Sequence, residues 1–217
     1  MLIKANYFDW NCDNKFDAII TDPPYKEVFK NELFENELDY NEMFYKFDKD
    51  LKENAALILF SNFMQIPSLV SIATESFGFK LHTYQIWDKT PIRNWISWQL
   101  PLRTTEFILY FKKGNFRYSF KDGTEKPKYK RSSFGSEFIH QKENTNEVSY
   151  GIFEDIIRLS NIQKNKIHPT QKPIEFSEMF KKIVGDVKVL DPFCGSGNLI
   201  KSFSNAIGID IKDYWIK

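Results

Sequence analysis

Twice in this chain a short strand-forming run ends in Asp-Pro. Phe16-Asp17-Ala18-Ile19-Ile20-Thr21 leads into Asp22-Pro23-Pro24-Tyr25, and Val187-Lys188-Val189-Leu190 leads into Asp191-Pro192-Phe193-Cys194-Gly195-Ser196-Gly197. Runs this apolar, stopped by proline, suit strands buried on both faces, and such strands belong to parallel sheets covered by helices. The spacing between the two runs alternates in the same sense. A doubly wound α/β sheet is therefore expected, mostly parallel, with its active residues at the carboxyl ends of strands. Both Asp-Pro sequences fall at such ends.

The intervening pattern predicts the other elements. Asp39 and Glu42 form a capping box for a helix whose Tyr40, Met43, Phe44, Phe47 and Leu51 share one face. Residues 55–60 read as a buried strand. Phe63, Ile66, Leu69, Val70, Ala73 and Phe77 repeat at helical spacing up to Gly78, and residues 81–87 and 107–111 read as strands. From 115 to 166 the periodicity dissolves into an irregular insertion. A helix carrying Ile174, Phe180, Ile183 and Val184 then stops at Gly185, and a short helix and a strand over 206–211 finish the pattern. With 217 residues, 42% of them hydrophobic, one core is sufficient, and a single domain is expected. Its parts divide at 1–88, 89–166 and 167–217.

Thirty basic residues oppose twenty-nine acidic ones, so net charge names no partner. Local charge differs. Residues 112–142 hold nine Lys or Arg against three acids, whereas residues 27–53 hold nine acids against four bases, which predicts a basic side and an acidic side. The two cysteines, Cys12 and Cys194, lack metal-ligand spacing. No metal is expected, and a reducing cytoplasmic setting fits. Leu2 and Ile3 are followed at once by Lys4, unlike a signal peptide, and no apolar run approaches the ~20 residues of a membrane span.

The chemistry sits in three motifs. Asp22, the Pro23 carbonyl and the Tyr25 ring can together hold a planar, amino-bearing ring. An exocyclic amino nitrogen is a poor nucleophile because its lone pair is delocalised. Two acceptors aimed at its hydrogens would expose that pair, and proline fixes φ near −65° and so aims the carbonyl. The alternative is a polar strand end followed by a Pro24 turn. Gly195 and Gly197 let a cofactor approach the backbone, or merely cap a sheet; Asn198 stands where a phosphate-binding loop would have lysine. His168-Pro169-Thr170-Gln171-Lys172-Pro173 reads as an anion site, with Thr170 capping the helix begun by Pro173, or as a plain helix start.

These strings resemble the DNA amino-methyltransferases that use S-adenosylmethionine. With Asp22-Pro23-Pro24-Tyr25 first and the glycine motif last, the chain is similar to their circularly permuted β group, which implies a seven-stranded sheet of the class I methyltransferase type. The resemblance implies that Asp22, Pro23, Pro24 and Tyr25 are catalytic, acting on a base flipped out of duplex DNA. It implies a cofactor site formed by Asp9, His168, Thr170, Gln171, Lys172, Asp191, Phe193, Gly195, Ser196, Gly197, Asn198 and Asp210. Asp191 would face the cofactor ammonium, Phe193 its apolar part, Asp210 the ribose hydroxyls and Lys172 the methionine carboxylate. Asp9 matches an acid beside the adenine, with Asp13 as a competing choice. His168 reads as an orienting residue rather than a base. Asn198 replaces the usual threonine, and the stretch from Gly197 to Asp210 is about one helical turn short. A second copy or a partner subunit would compensate.

The resemblance implies a catalytic half over 1–88, a cofactor half over 167–217 and between them a recognition region over 89–166, in which Arg93, Asn94, Arg103, Arg117, Lys128, Lys130 and Arg131 are the expected DNA contacts, with Lys and Arg on phosphates and Arg or Asn on base edges. Aspartate at the first catalytic position favours adenine-N6, because cytosine-N4 relatives more often carry serine. The alternatives are cytosine-N4 transfer, the same chemistry on RNA or a protein amide, and a silent DNA-binding subunit of a complex.

Overall fold

The computed structural model describes residues 1–24, 38–89, 102, 104–127, 129–134, 137–142, 148–160, 167–168 and 170–213, with side chains left aside between 125 and 150. Its centre is an eight-stranded sheet. The strands are β1 (Leu2–Lys4), β2 (Phe16–Thr21), β3 (Leu51–Ser61), β4 (Lys80–Asp88), β5 (Thr105–Lys113), β10 (Ile156–Arg158), β11 (Val189–Asp191) and β12 (Ala206–Asp210). They lie in the order β1-β12-β11-β2-β3-β5-β4-β10. Both antiparallel pairings involve β5, and every other pairing is parallel. The expected α/β class is thus present, with one strand more than the sequence suggested. β11 lies against β2, so the two Asp-Pro motifs share one sheet edge although they are far apart in sequence.

Helices cover both faces. On one side α1 (Tyr40–Asp50) and α2 (Ile66–Ser71), which continues as a π-helical turn Ile72–Ser76, bury Phe44, Phe47, Leu69 and Ala73 against Phe16, Ile19, Leu57 and Phe111. On the other, α3 (Glu175–Val184) buries Phe176, Phe180 and Ile183 against Ala18, Ile20, Ile58, Phe60 and Tyr110. Strict alternation would place Phe16 and Ala18 on one face. A register shift between them sends them to opposite faces, which is how β2 feeds both cores. Each fully buried Phe contributes about 1.5–3 kcal/mol by leaving water.

Local expectations hold with instructive departures. Asp39 caps α1 by accepting from the Asn41 amide, and Leu51 begins β3 instead of ending the helix face. Gly78 and Gly185 take φ of +68° and +86° where the helical segments end. The segment read as irregular contains two antiparallel pairs, β6 (Lys121–Pro127) with β9 (Val148–Ile152) and β7 (Tyr129–Phe134) with β8 (Glu137–Lys142), while β10 joins the central sheet. Charged and polar residues hide the alternation there. β5 and β10 also carry residues of 89–166 into the core sheet. Between β11 and β12 the expected short helix is a single 3-10 turn, Asn198–Ile200. No helix among the described residues is long and apolar enough to cross a membrane.

Candidate functional site

Where β2 ends, Asp22 reaches across to the segment before α3. The Lys172 ammonium donates to its Oδ2 and lies 3.0 Å from Glu106 Oε2. Glu106, on β5, also accepts from Lys89 at 2.8 Å on Oε1. Only 7% of the Lys172 side chain is exposed, and its Nζ lies 5.0 Å from the Phe60 ring centre and 5.7 Å from that of Trp87. Burial pulls the Lys172 pKa down, but Asp22 and Glu106 more than offset this, so it stays charged. Glu106 is pushed up by burial and brought below the usual carboxylate range by Lys172 and Lys89. The motif predicts Lys172 on a methionine carboxylate; instead two carboxylates of the chain already neutralise it, because an ammonium this buried needs counter-charge at hand.

The glycine turn leaves β11 beside this cluster. Gly195 and Gly197 take φ of +49° and +75°, backbone that other residues adopt only at a cost. A Cβ on Gly195 would stand 3.2 Å from the His168 ring, and one on Gly197 3.0 Å from Leu2. Asn198 Nδ2 donates to the Lys172 carbonyl at 2.8 Å and so ties the glycine turn to the His168–Lys172 segment. Gln171 Oε1 accepts from the Ile167 amide at 2.9 Å. Asp22, His168, Thr170, Gln171, Phe193, Gly195 and Ser196 line one cleft.

Three further carboxylates lie on the strands and loops around the glycine turn, each in a different setting. Asp191 is fully buried, and burial, reinforced by Asp22 and Asp210, raises its pKa to about 8 despite the Thr21 hydroxyl and the Phe193 amide. That amide donates to Oδ1 at 3.2 Å and the Thr21 hydroxyl also acts on the carboxyl, although no hydrogen bond of good geometry reaches Oδ2. A buried carboxyl held only by neutral donors keeps acceptor capacity that an ammonium-bearing ligand would complete. Asp210, at the end of β12, accepts from the Gly195 amide at 2.8 Å and the Lys212 amide at 3.0 Å, so it braces the glycine turn as well as facing the site. Asp9 is exposed on the loop after β1, where Asn6 Nδ2 donates to it at 2.9 Å. The same loop places Tyr7 and Phe8 with ring centres 5.8 and 6.3 Å from that of Phe193. Tyr7 is anchored by donating to Asp50 at 2.7 Å.

Thr170 does not cap a helix. Its amide and hydroxyl both lie 3.2 Å from His168 Nδ1, and α3 begins at Glu175 without a side-chain cap, because Pro173 and Ile174 form the turn before it. Burial lowers the His168 pKa, as suits an imidazole held neutral and oriented. Pro23 is buried and Pro24 half-buried behind Asp22. Tyr25, Arg93, Asn94, Arg103 and Lys128 lie outside the described residues. Lys130 and Arg131 sit on β7, opposite Gln141 and His140 of β8. Arg117 is exposed four residues beyond β5, whose final residue pairs with Ala55, so it lies at the sheet edge opposite Asp22. The sequence reading missed Glu106, Lys89, Tyr7 and Phe8. Glu106 had one local signal, a carboxylate leading the otherwise apolar run Phe107-Ile108-Leu109.

The model of one protein family, described as DNA methylase, matches residues 16–217. No curated protein matches the chain. Among solved structures, the M1.HpyAVI complex with SAM is 24% identical, with a TM-score of 0.65 over 98% of this chain and 94% of its own. The PvuII DNA methyltransferase, named as cytosine-N4-specific, is 15% identical, with a TM-score of 0.68 over 97% and 81%. Both share the architecture described above.

Proposed function

The chain belongs to the DNA methylase family, and on that premise we propose that it transfers a methyl group from S-adenosylmethionine to the N6 amino group of an adenine flipped out of duplex DNA. The observation that carries this reading is the convergence on one sheet edge of Asp22, the glycine turn and the buried Asp191 carboxyl. When bound, S-adenosylmethionine supplies an electrophilic methyl whose bond to sulfur breaks as the bond to nitrogen forms, sulfur keeping the electron pair as a neutral thioether.

The chain's residues do the rest. The Asp191 carboxylate would hold the cofactor ammonium, the Gly195–Gly197 backbone would leave room beside it, and Phe193, backed by Tyr7 and Phe8, would present an aromatic wall. Asp22 accepts one hydrogen of the target amino group, which localises the nitrogen lone pair. It then takes the proton that the methylated nitrogen must lose and passes it to solvent. Lys172 remains charged beside it and favours the ionised carboxylate at the start of each turnover. Aspartate at this position supports adenine.

Tritium transfer to duplexes containing methylatable adenine only, cytosine only, or both tests the reading. Label should enter adenine, and Asp22→Ala should lower kcat by at least about 100-fold while cofactor affinity is kept. Label confined to cytosine would move the substrate to cytosine-N4, and no label in any duplex would overturn methyl transfer to DNA.

A further inference from the structure

Four charges stand in line between β2 and β4, alternating in sign: Asp22, Lys172, Glu106 and Lys89. The side chains are 16%, 7%, 15% and 14% exposed. Sequestering two ion pairs is unfavourable by several kcal/mol per ion, and apolar replacements commonly do as well, so stability alone is a poor reason for such a line. The geometry offers a better one. Lys172 sits on the rings of Phe60 and Trp87 with carboxylates on two sides, and its backbone carbonyl is held by Asn198. Lys172 already donates to Asp22; without Glu106 that carboxylate would be its one counter-charge, and the ammonium would settle wholly on the group that must accept the target's hydrogens.

We propose that Glu106 is a positioning residue for methyl transfer: by holding Lys172 from the far side, it keeps the Asp22 carboxylate oriented and available to the target amino group. Glu106 touches neither cofactor nor base in this scheme and acts only through Lys172. The inference rests on the methyl-transfer reading above. Other charged groups bear on Asp22 as well: His168 from the segment before α3, Asp191 from β11 and, around His168, Asp210 and Lys212. They are unchanged in the variants below and form a constant background.

The test is single-turnover methylation of an adenine-containing duplex by the full chain from pH 5.5 to 9, with cofactor affinity measured by calorimetry. Glu106→Gln should slow methyl transfer by about 10- to 100-fold, as displacement of a reacting group by about 1 Å does, without weakening cofactor binding. Lys172→Met should also slow it and move the acid limb of the rate profile upward, because Asp22 loses its cation with Asp191 still beside it; Glu106→Gln should not move that limb upward. The double variant should be no slower than Lys172→Met alone, since one residue acts through the other. Glu106→Asp, which keeps the charge but falls one methylene short, should fold and fall between wild type and Glu106→Gln.

Equal rates for wild type, Glu106→Gln and Glu106→Asp overturn the role of Glu106 while leaving methyl transfer intact. A double variant slowed by the product of the single effects overturns it too. If Glu106→Gln does not fold, Glu106→Asp decides alone. A wild-type chain that labels no duplex overturns the underlying reading, and this role with it.

Discussion

Asp191→Asn isolates one buried proton. The Asp191 carboxyl titrates near 8 in the folded chain, chiefly because it is buried, and near 3.9 when unfolded. Between those values the folded chain holds a proton that the unfolded chain has released, so this group's contribution to stability is complete below about pH 4 and is lost as pH rises towards 8. The slope is about 1.4 kcal/mol per pH unit. From pH 5 to 7 the group should therefore withdraw roughly 3 kcal/mol, a fall of about 6–12 °C in melting temperature for a chain of this size. Asparagine keeps the shape without the proton and should remove that part of the pH dependence. Cofactor binding reports the same proton. At pH 7 about 0.9 of the Asp191 carboxyls are protonated and must ionise to face an ammonium, whereas an amino group of pKa near 7.8 takes up only about 0.15. Net release is roughly 0.75 proton, read from calorimetric enthalpies of S-adenosylmethionine binding in buffers of different ionisation enthalpy. Asp191→Asn should bind more weakly and release none. Equal proton release by both proteins, or melting curves with the same pH dependence, would refute the assignment.

Gly195→Val should abolish cofactor binding in isothermal titration while leaving the far-ultraviolet circular dichroism spectrum unchanged, because its Cβ meets the His168 ring and φ is +49°. Phe44→Ala removes a ring packed on Phe47, Phe77, Phe79 and Phe111; it should be destabilising by about 3–5 kcal/mol, measured by urea unfolding, with no change in the residual activity of the folded fraction. Neutralising Lys128, Lys130 and Arg131 together should weaken duplex binding and flatten the plot of log affinity against log salt by about 0.9 for each phosphate no longer neutralised, followed by filter binding on specific and scrambled duplexes. An unchanged slope would leave those residues as a solvated face.

Much was legible in the chain because the signals are local. The proline-stopped apolar runs marked β2 and β11, Asp39 marked the start of α1, and the glycine turn announced itself by spacing. The ribbons between 121 and 152 were not legible, since strands rich in Lys, Ser and Gly carry little alternation to read. Leu51 fitted the helix face by spacing, yet the chain turns at Asp50 and pairs Leu51 with Phe16, a tertiary contact overriding a periodicity.

The sequence by itself determined the α/β class, the reversed order of the two motifs and the residue types able to grip an amino group and a cofactor, because strand patterning and turn chemistry depend on near neighbours. Only the tertiary structure decided the company those residues keep. Lys172 pairs with Asp22 across 150 positions and with Glu106 on β5; Asp210 braces Gly195; and Arg117 lies at the far edge of the sheet. The physical reason is strand order. Placing β11 beside β2 and β3 beside β5 sets which charges share a site shielded from water, and there each charge must find its partner within a few ångströms.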